Sequence, residues 1–146
     1  MNLINRKAKY NYVFIEKFIA GILLKGTEIK SIRDSRVGFT DSFCQFKKDG
    51  LYLVNTHIDI YEQGNLSNHE PLRHRKLLLK KFELKGLKTK VDEKGLTIVP
   101  VRIFINEKGW AKVEIALAKG KDKGDKRETI RDRDVAREMD RQMKNF

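Results

Sequence analysis

The residue types that most often carry chemistry are few in this chain and poorly placed for it. The histidines are His57, His69 and His74, and Cys44 is the only cysteine. His69 and His74 are separated by a segment containing Pro71, so they do not share the i, i+4 helical face of a zinc-protease motif. The sequence contains no Walker loop, dinucleotide fingerprint or nucleophile elbow. A metal-independent ribonuclease needs a base, an acid and a phosphate clamp. His57, His74 and a lysine supply those residue types, but most basic sequences do so by chance. A lone thiol forms neither an internal disulfide nor a zinc knuckle, which fits a reducing compartment, and a strand cysteine usually acts as a small hydrophobe. These observations predict no catalytic residues, no metal and no cofactor.

The charge is more informative. Among 146 residues, Lys and Arg number 32 against 20 Asp and Glu, a formal net charge of +12. An excess of that size favours a polyanionic partner, because each phosphate neutralised releases condensed counterions. The cations are concentrated in three places. Arg6, Lys7 and Lys9 lie beside Tyr10 and Tyr12. A second run, from Arg73 to Lys94, includes Arg75 and Lys76. The third is the C-terminal stretch, where Arg133, Arg137, Arg141 and Lys144 form a basic stripe next to an apolar one of Val135, Met139 and Met143. Cations beside rings suit RNA, since phosphates meet the charge and unpaired bases stack on the aromatic faces. Tyr10, among polar neighbours, is the stacking candidate, while Tyr12, Phe14 and Phe18 read as strand residues of the core. No apolar run approaches the roughly 18 residues of a membrane span. Met1 to Tyr10 is polar and basic and does not resemble a secretory signal, so a cytoplasmic, monomeric protein without membrane contact is expected.

The elements that must position these residues follow from periodicity. Tyr12 to Lys25 reads as a long strand ending at Gly26, and Thr27 as the N-cap of a short helix to about Asp34. Ser42 to Lys47 and Leu51 to Asn55 flank Lys48-Asp49-Gly50, a hairpin signal. Tyr61 to Pro71 reads as a loop, and Lys76 to Phe82 is compatible with strand or helix. Leu84, Leu87 and Val91 mark a helix that stops before Gly95. Leu96 to Ile105 and Trp110 to Leu117 alternate as strands, with Pro100 expected at an edge or bulge. Short strands with few helices predict a mainly β protein: an OB-like antiparallel β-barrel over residues 1–117, with a β-sandwich as competitor. Residues 118–146 read as a basic tail. Its three-residue apolar stripe buries too little to offset the entropy of ordering it, so the tail is expected to be disordered in isolation and helical when covered.

Several blocks of the sequence resemble one family. They are Asn5 to Tyr12, Gly26 to Arg33, His57-Ile58 with Tyr61-Glu62-Gln63-Gly64-Asn65, and Asn68 to Arg73. Arg75 to Leu79, Gly95 to Pro100, Ala118 to Lys121 and Asp125 to Glu128 complete the set. In this order, over almost the whole chain, they are similar to the SmpB (small protein B) proteins, which bind tmRNA, also called SsrA RNA. The resemblance implies an OB-like barrel that grips the tRNA-like domain of tmRNA. It further implies help in delivering alanyl-tmRNA to stalled ribosomes in trans-translation, with elongation factor Tu engaged indirectly and the tail in the empty mRNA channel.

Carried over residue by residue, the resemblance places Asn11, Glu28, Lys30, Arg33 and the Tyr61–Asn65 segment, with Glu62, on the RNA surface. His57, Arg75 and Lys76 fall in matching blocks and join Arg6, Lys7 and Tyr10 as RNA-binding candidates. Lys119, Lys121, Asp125, Lys126 and Arg127 join the basic stripe as the ribosome-binding tail. Glu28 is implied to read base edges, since a carboxylate accepts from amino and imino groups. Asp122 and Gly124 depart from the family pattern, where a lysine and an aromatic or histidine are usual. Such a tail makes weaker contact at the decoding centre unless a neighbour substitutes. The alternatives left by the residues themselves are a general OB-type RNA-binding translation factor and a small ribonuclease.

Overall fold

The structure is a computed structural model and describes residues 1–121, without the side chains of residues 64–66. In chain order the elements are β1 (Asn2–Ile4), α1 (Arg6–Asn11), β2 (Tyr12–Ile22), α2 (Gly26–Arg33), β3 (Val37–Gly38), β4 (Phe43–Lys47) and β5 (Gly50–Val54). Next come β6 (His57–Ile58), a 3₁₀ turn (Glu62–Ser67), β7 (Arg75–Leu78), α3 (Lys81–Lys94), β8 (Thr97–Ile105) and β9 (Ala111–Gly120).

Six strands close on themselves. β2 pairs with β9, β9 with β8, β8 with β4, β4 with β5, β5 with β7, and β7 with β2, every pair antiparallel. This is the expected antiparallel barrel, in which every strand of the ring has a neighbour on each side. β1 adds to the outside edge of β8, and β3 and β6 form a separate two-stranded ribbon. Inward residues Ala20, Leu51, Leu53, Leu77, Ile98, Ile103, Val113, Ile115 and Leu117 fill the barrel, and Ile32 of α2 and Leu87 of α3 are buried with them. Cys44, on β4 opposite Ile98, is buried in the same core, and loss of solvation pushes its thiol pKa well up.

A second cluster explains why β8 and β9 are apolar on both faces. Val99, Ala116 and Ala118 point the other way and pack with Ala8 of α1 and with Tyr12, Phe14 and Val101. Alanines let this six-residue helix approach the sheet closely. Phe18 packs against the main core, beyond the bulge between Phe14 and Glu16, so all three aromatic residues of β2 are partly buried but in two different clusters. Pro100 lies at the register shift between β8 and β9, where its missing N–H costs no ladder bond.

Four boundaries depart from the sequence reading. β2 ends at Ile22 rather than Lys25, because residues 23–25 turn to enter α2. That helix starts at Gly26, so Thr27 lies inside it and is not its cap. Glu28 caps instead, its Oε1 accepting from the Lys25 N–H at 2.7 Å. Lys76 to Phe82 proves to be both alternatives: β7 ends at Leu78 and α3 begins at Lys81. β9 runs through Gly120 rather than stopping at Leu117, which places Lys119 in a strand opposite Val13. α3 stops where expected, at Gly95, whose φ of 62° is the left-handed conformation that glycine adopts without a Cβ penalty. The expectations for a disordered tail, and for Asp122, Gly124, Asp125, Lys126, Arg127, Arg133, Arg137, Arg141 and Lys144, lie outside the described residues.

Candidate nucleic-acid interface

The first half of the interface is built on α1. Asn5 caps this helix: its Oδ1 accepts from the Ala8 N–H at 3.3 Å, and its Nδ2 donates to the Pro100 carbonyl at 2.9 Å. The Asn5 backbone N–H also donates to the Val101 carbonyl at 2.9 Å. A buried asparagine thus rivets α1 to the bulge of β8, where the proline lets the carbonyl turn outward. The riveted helix carries Arg6, Lys7 and Lys9 into solvent, with no ion-pair partner among the described residues. Beside it lies a cleft of about 240 Å³ whose lining includes Asn5, Lys7, Asn11, Tyr12 and Asp41. The Asn11 carbonyl accepts from the Lys121 N–H at 2.9 Å, so the end of β9 lies next to this helix.

The second half joins α2 to residues 57–75. Glu28 is fully buried yet ionised. Burial alone pushes its pKa up; hydrogen bonds from Arg73, the Lys25 backbone and Arg75, with the Arg75 charge, outweigh that and hold it below the ordinary carboxylate value. Arg75 Nε donates to Oε2 at 2.6 Å and Arg73 Nη2 to Oε1. Arg75, itself fully buried, also donates to the carbonyls of Thr56 at 2.6 Å and Pro71 at 3.1 Å, and Arg73 donates to that of Leu23 at 3.3 Å. Burial lowers the pKa of Arg75, and the Glu28 charge opposes that shift.

Two further bonds pin the same helix. Ser31 Oγ donates to the Asp59 carbonyl at 2.7 Å. The His69 ring bridges Thr27 Oγ1 and the Ile58 carbonyl, each at 2.8 Å. A carbonyl only accepts, so Nε2 of His69 carries a proton and donates to Ile58, while Nδ1 shares a hydrogen bond with the threonine hydroxyl.

On the outside of this unit, Lys30 lies 5.3 Å from the Tyr61 ring centroid, a cation–π pair. Asn68 clamps Tyr61 by accepting from its N–H at 2.9 Å and donating to its carbonyl at 2.6 Å, which closes the segment bearing Glu62 and Asn65. Arg36 reaches Asp59 at 3.4 Å and Glu62 at 3.8 Å, and His57 Nδ1 lies 3.0 Å from Asp59 Oδ1. Arg33, in the last turn of α2, is exposed.

The structure therefore sorts the candidates. Arg6, Lys7, Tyr10 and Asn11 are together on α1; Lys30, Arg33, His57, Tyr61 and Glu62 are together around α2. Two expectations are corrected. Glu28 is not an exposed reader of base edges, because both of its oxygens are sealed under α2 and already accept hydrogen bonds. Arg75, expected on the RNA-binding surface, has its guanidinium buried against Glu28 and backbone carbonyls. Both are positioning residues. Lys76 stands apart from either group, 3.7 Å from Asp49 in the β4–β5 hairpin. Charge counting missed Arg36, Asp59, Asn68 and His69, the residues that hold the second half in shape; Asn68 and His69 were visible only within a family block.

Among the described residues no helix is long and apolar enough to cross a membrane, and no cluster of His, Cys, Asp or Glu is arranged to hold a metal ion.

Comparison with known proteins gives one answer. The family model described as "SmpB protein" matches residues 2–145. An SsrA-binding protein of Flavobacterium psychrophilum is 53% identical over 146 residues, covering 100% of this chain and 97% of that one. An SsrA-binding protein of Ligilactobacillus salivarius is 51% identical over 142 residues, 97% of this chain and 91% of its own. A solved chain from the structure described as "tmRNA-SmpB: a journey to the center of the bacterial ribosome" superposes with a TM-score of 0.70. It is 49% identical and covers 89% of this chain and 94% of that chain.

Proposed function

The chain belongs to the SmpB protein family, and from that membership we propose that it binds the tRNA-like domain of tmRNA and helps bring alanyl-tmRNA to stalled ribosomes in trans-translation. The observation that carries this reading is the end-to-end family match on a barrel whose α1 face presents exposed cations. Arg6 and Lys7 supply phosphate contacts, and Lys30, Arg33 and Tyr61 supply charge and a ring from the α2 side. The pinned α2 unit holds these groups in one relative geometry before RNA arrives, which reduces the ordering cost of binding. We assign it no catalytic residues and a place in the cytoplasm, with elongation factor Tu engaged only through alanyl-tmRNA. Residues 122–146 are assigned to the ribosome rather than to tmRNA.

The test is recovery of the full chain from cells that express tmRNA, followed by sequencing of the bound RNA and affinity measurement at fixed salt. The tRNA-like domain should bind far more tightly than an unrelated structured RNA. A chain ending at Lys121 should retain that affinity and lose peptide tagging on stalled ribosomes. Equal affinity for both RNAs would return the chain to the class of general RNA binders. RNA cleavage abolished by His57→Ala would make it a nuclease.

A further inference from the structure

A cleft of about 790 Å³ lies between the β3–β6 ribbon and the start of β4. Arg36, Asp41, Asn55, His57, Asp59 and Leu72 are among its lining residues. The volume is in the range of roughly 300–1,000 Å³ usual for small-ligand sites. Asp41 lines this cleft and also the smaller one beside α1, so the two halves of the interface meet there.

The backbone around the cleft is unusual. Among the described residues, those other than glycine with positive φ are Ser35, Asp41 and Asn55, at 60°, 58° and 61°, and all three line it. Such conformations are uncommon outside glycine and persist where the surroundings enforce them. At Asp41 and Asn55 a chain of hydrogen bonds does so. Asn55 Nδ2 donates to the Asp41 carbonyl at 3.3 Å, Ser42 Oγ to the Asn55 carbonyl at 2.9 Å, and Thr56 Oγ1 to Ser42 Oγ at 3.0 Å. Arg75 then holds the Thr56 carbonyl, linking the rim to buried Glu28.

The charges speak against a phosphate. Arg36 lines the cleft together with two carboxylates, Asp41 and Asp59. Asp59 is occupied, one oxygen by His57 and the other by Arg36. The Asp41 carboxylate has no hydrogen-bond or ion-pair partner among the described residues. A free carboxylate accepts two parallel N–H bonds at once. Among the common bases only guanine presents two adjacent donors on one edge, N1–H and N2–H. Leu72, 53% exposed, offers an apolar surface for the ring.

We propose that this cleft receives an unpaired guanine base of the bound RNA, whose N1–H and N2–H donate to the Asp41 carboxylate. The assignment rests on the RNA-binding reading above. A free guanine nucleotide would present the same edge, so the test separates the two sources.

Full-length chain labelled with nitrogen-15 is titrated with GMP, IMP and AMP and followed by amide chemical shifts. GMP should perturb Asp41, Asn55 and His57 saturably. IMP, which lacks the N2 amino group, should bind about tenfold more weakly through loss of one charge-assisted bond, and AMP should leave these amides unmoved. Asp41→Asn keeps a residue that tolerates left-handed backbone and should erase the preference of GMP over IMP. The tRNA-like domain should displace GMP. Absence of shifts at these amides, or equal response to GMP and AMP, would overturn the assignment. So would GMP that stays bound when the tRNA-like domain saturates the chain, which would make free nucleotide the ligand. If the guanine site fails while tRNA-like-domain affinity persists, the RNA-binding reading stands without it.

Discussion

Arg73 and Arg75 sit beneath α2 with their guanidinium groups committed to Glu28, whereas Arg6, Lys7 and Lys9 stand out from α1 with no ion-pair partner among the described residues. Both groups are equally basic as text, and burial gives them opposite work. A buried guanidinium must satisfy its donors internally, and its planar fork does so against one carboxylate and several carbonyls. An exposed lysine stays hydrated until a phosphate displaces that water. Arg73 and Arg75 therefore serve the architecture, and the α1 cations stay available to a partner.

The contrast is broken most severely at Glu28. Glu28→Ala leaves Arg75 buried without its counter-charge, and about 3–5 kcal/mol of unfolding free energy should be lost in denaturant melts. A loss under about 1 kcal/mol would show that the cluster is not a strut. Acid should act on the same carboxylate. Its folded pKa lies below the ordinary value of 4.5, so its stabilisation is fully present above that value and disappears as pH falls through the lower folded value. The wild-type chain should accordingly lose stability below pH 4.5 more steeply than Glu28→Gln, and parallel curves would contradict the ionised assignment.

Asn5→Ala removes the α1 cap and the bond to Pro100, a combined cost of about 1–2 kcal/mol, with RNA affinity falling because the helix is no longer riveted. The smallest effect on folding belongs to the exposed pair. Arg6→Ala with Lys7→Ala should change stability by less than about 0.5 kcal/mol while lowering RNA affinity, and the salt slope should fall by roughly one for each phosphate that is no longer neutralised. An unchanged slope would place the phosphate-binding cations elsewhere on the barrel.

Much of the barrel was legible because strand alternation writes itself directly into sequence. The β8 strand, the Lys48-Asp49 turn and the Gly95 stop fall where periodicity and turn chemistry put them, although the bulge after Pro100 sends Val99 and Val101 to one face and Ile103 and Ile105 to the other. Lys76 to Phe82 was ambiguous for a physical reason: a strand end and a helix start lie two residues apart, and neither period completes a cycle. The site was less legible. Family blocks named Glu28 and Arg75, but whether a charged residue faces water or the core depends on partners far along the chain. Arg73 and Arg75 meet Glu28 across separations of 45 and 47 residues, and no local pattern reports such a meeting. Thr27 reads as a cap for the same reason: its real partner, His69, is 42 residues away.

The enclosed position of Cys44 has a practical consequence. The chain's single native thiol is shut inside β4, and its raised pKa leaves almost no reactive thiolate near neutral pH. A cysteine introduced at an exposed position such as Lys108 would then be the only site that a maleimide dye reaches, so fluorescence could follow this protein through a translation cycle on an otherwise native background.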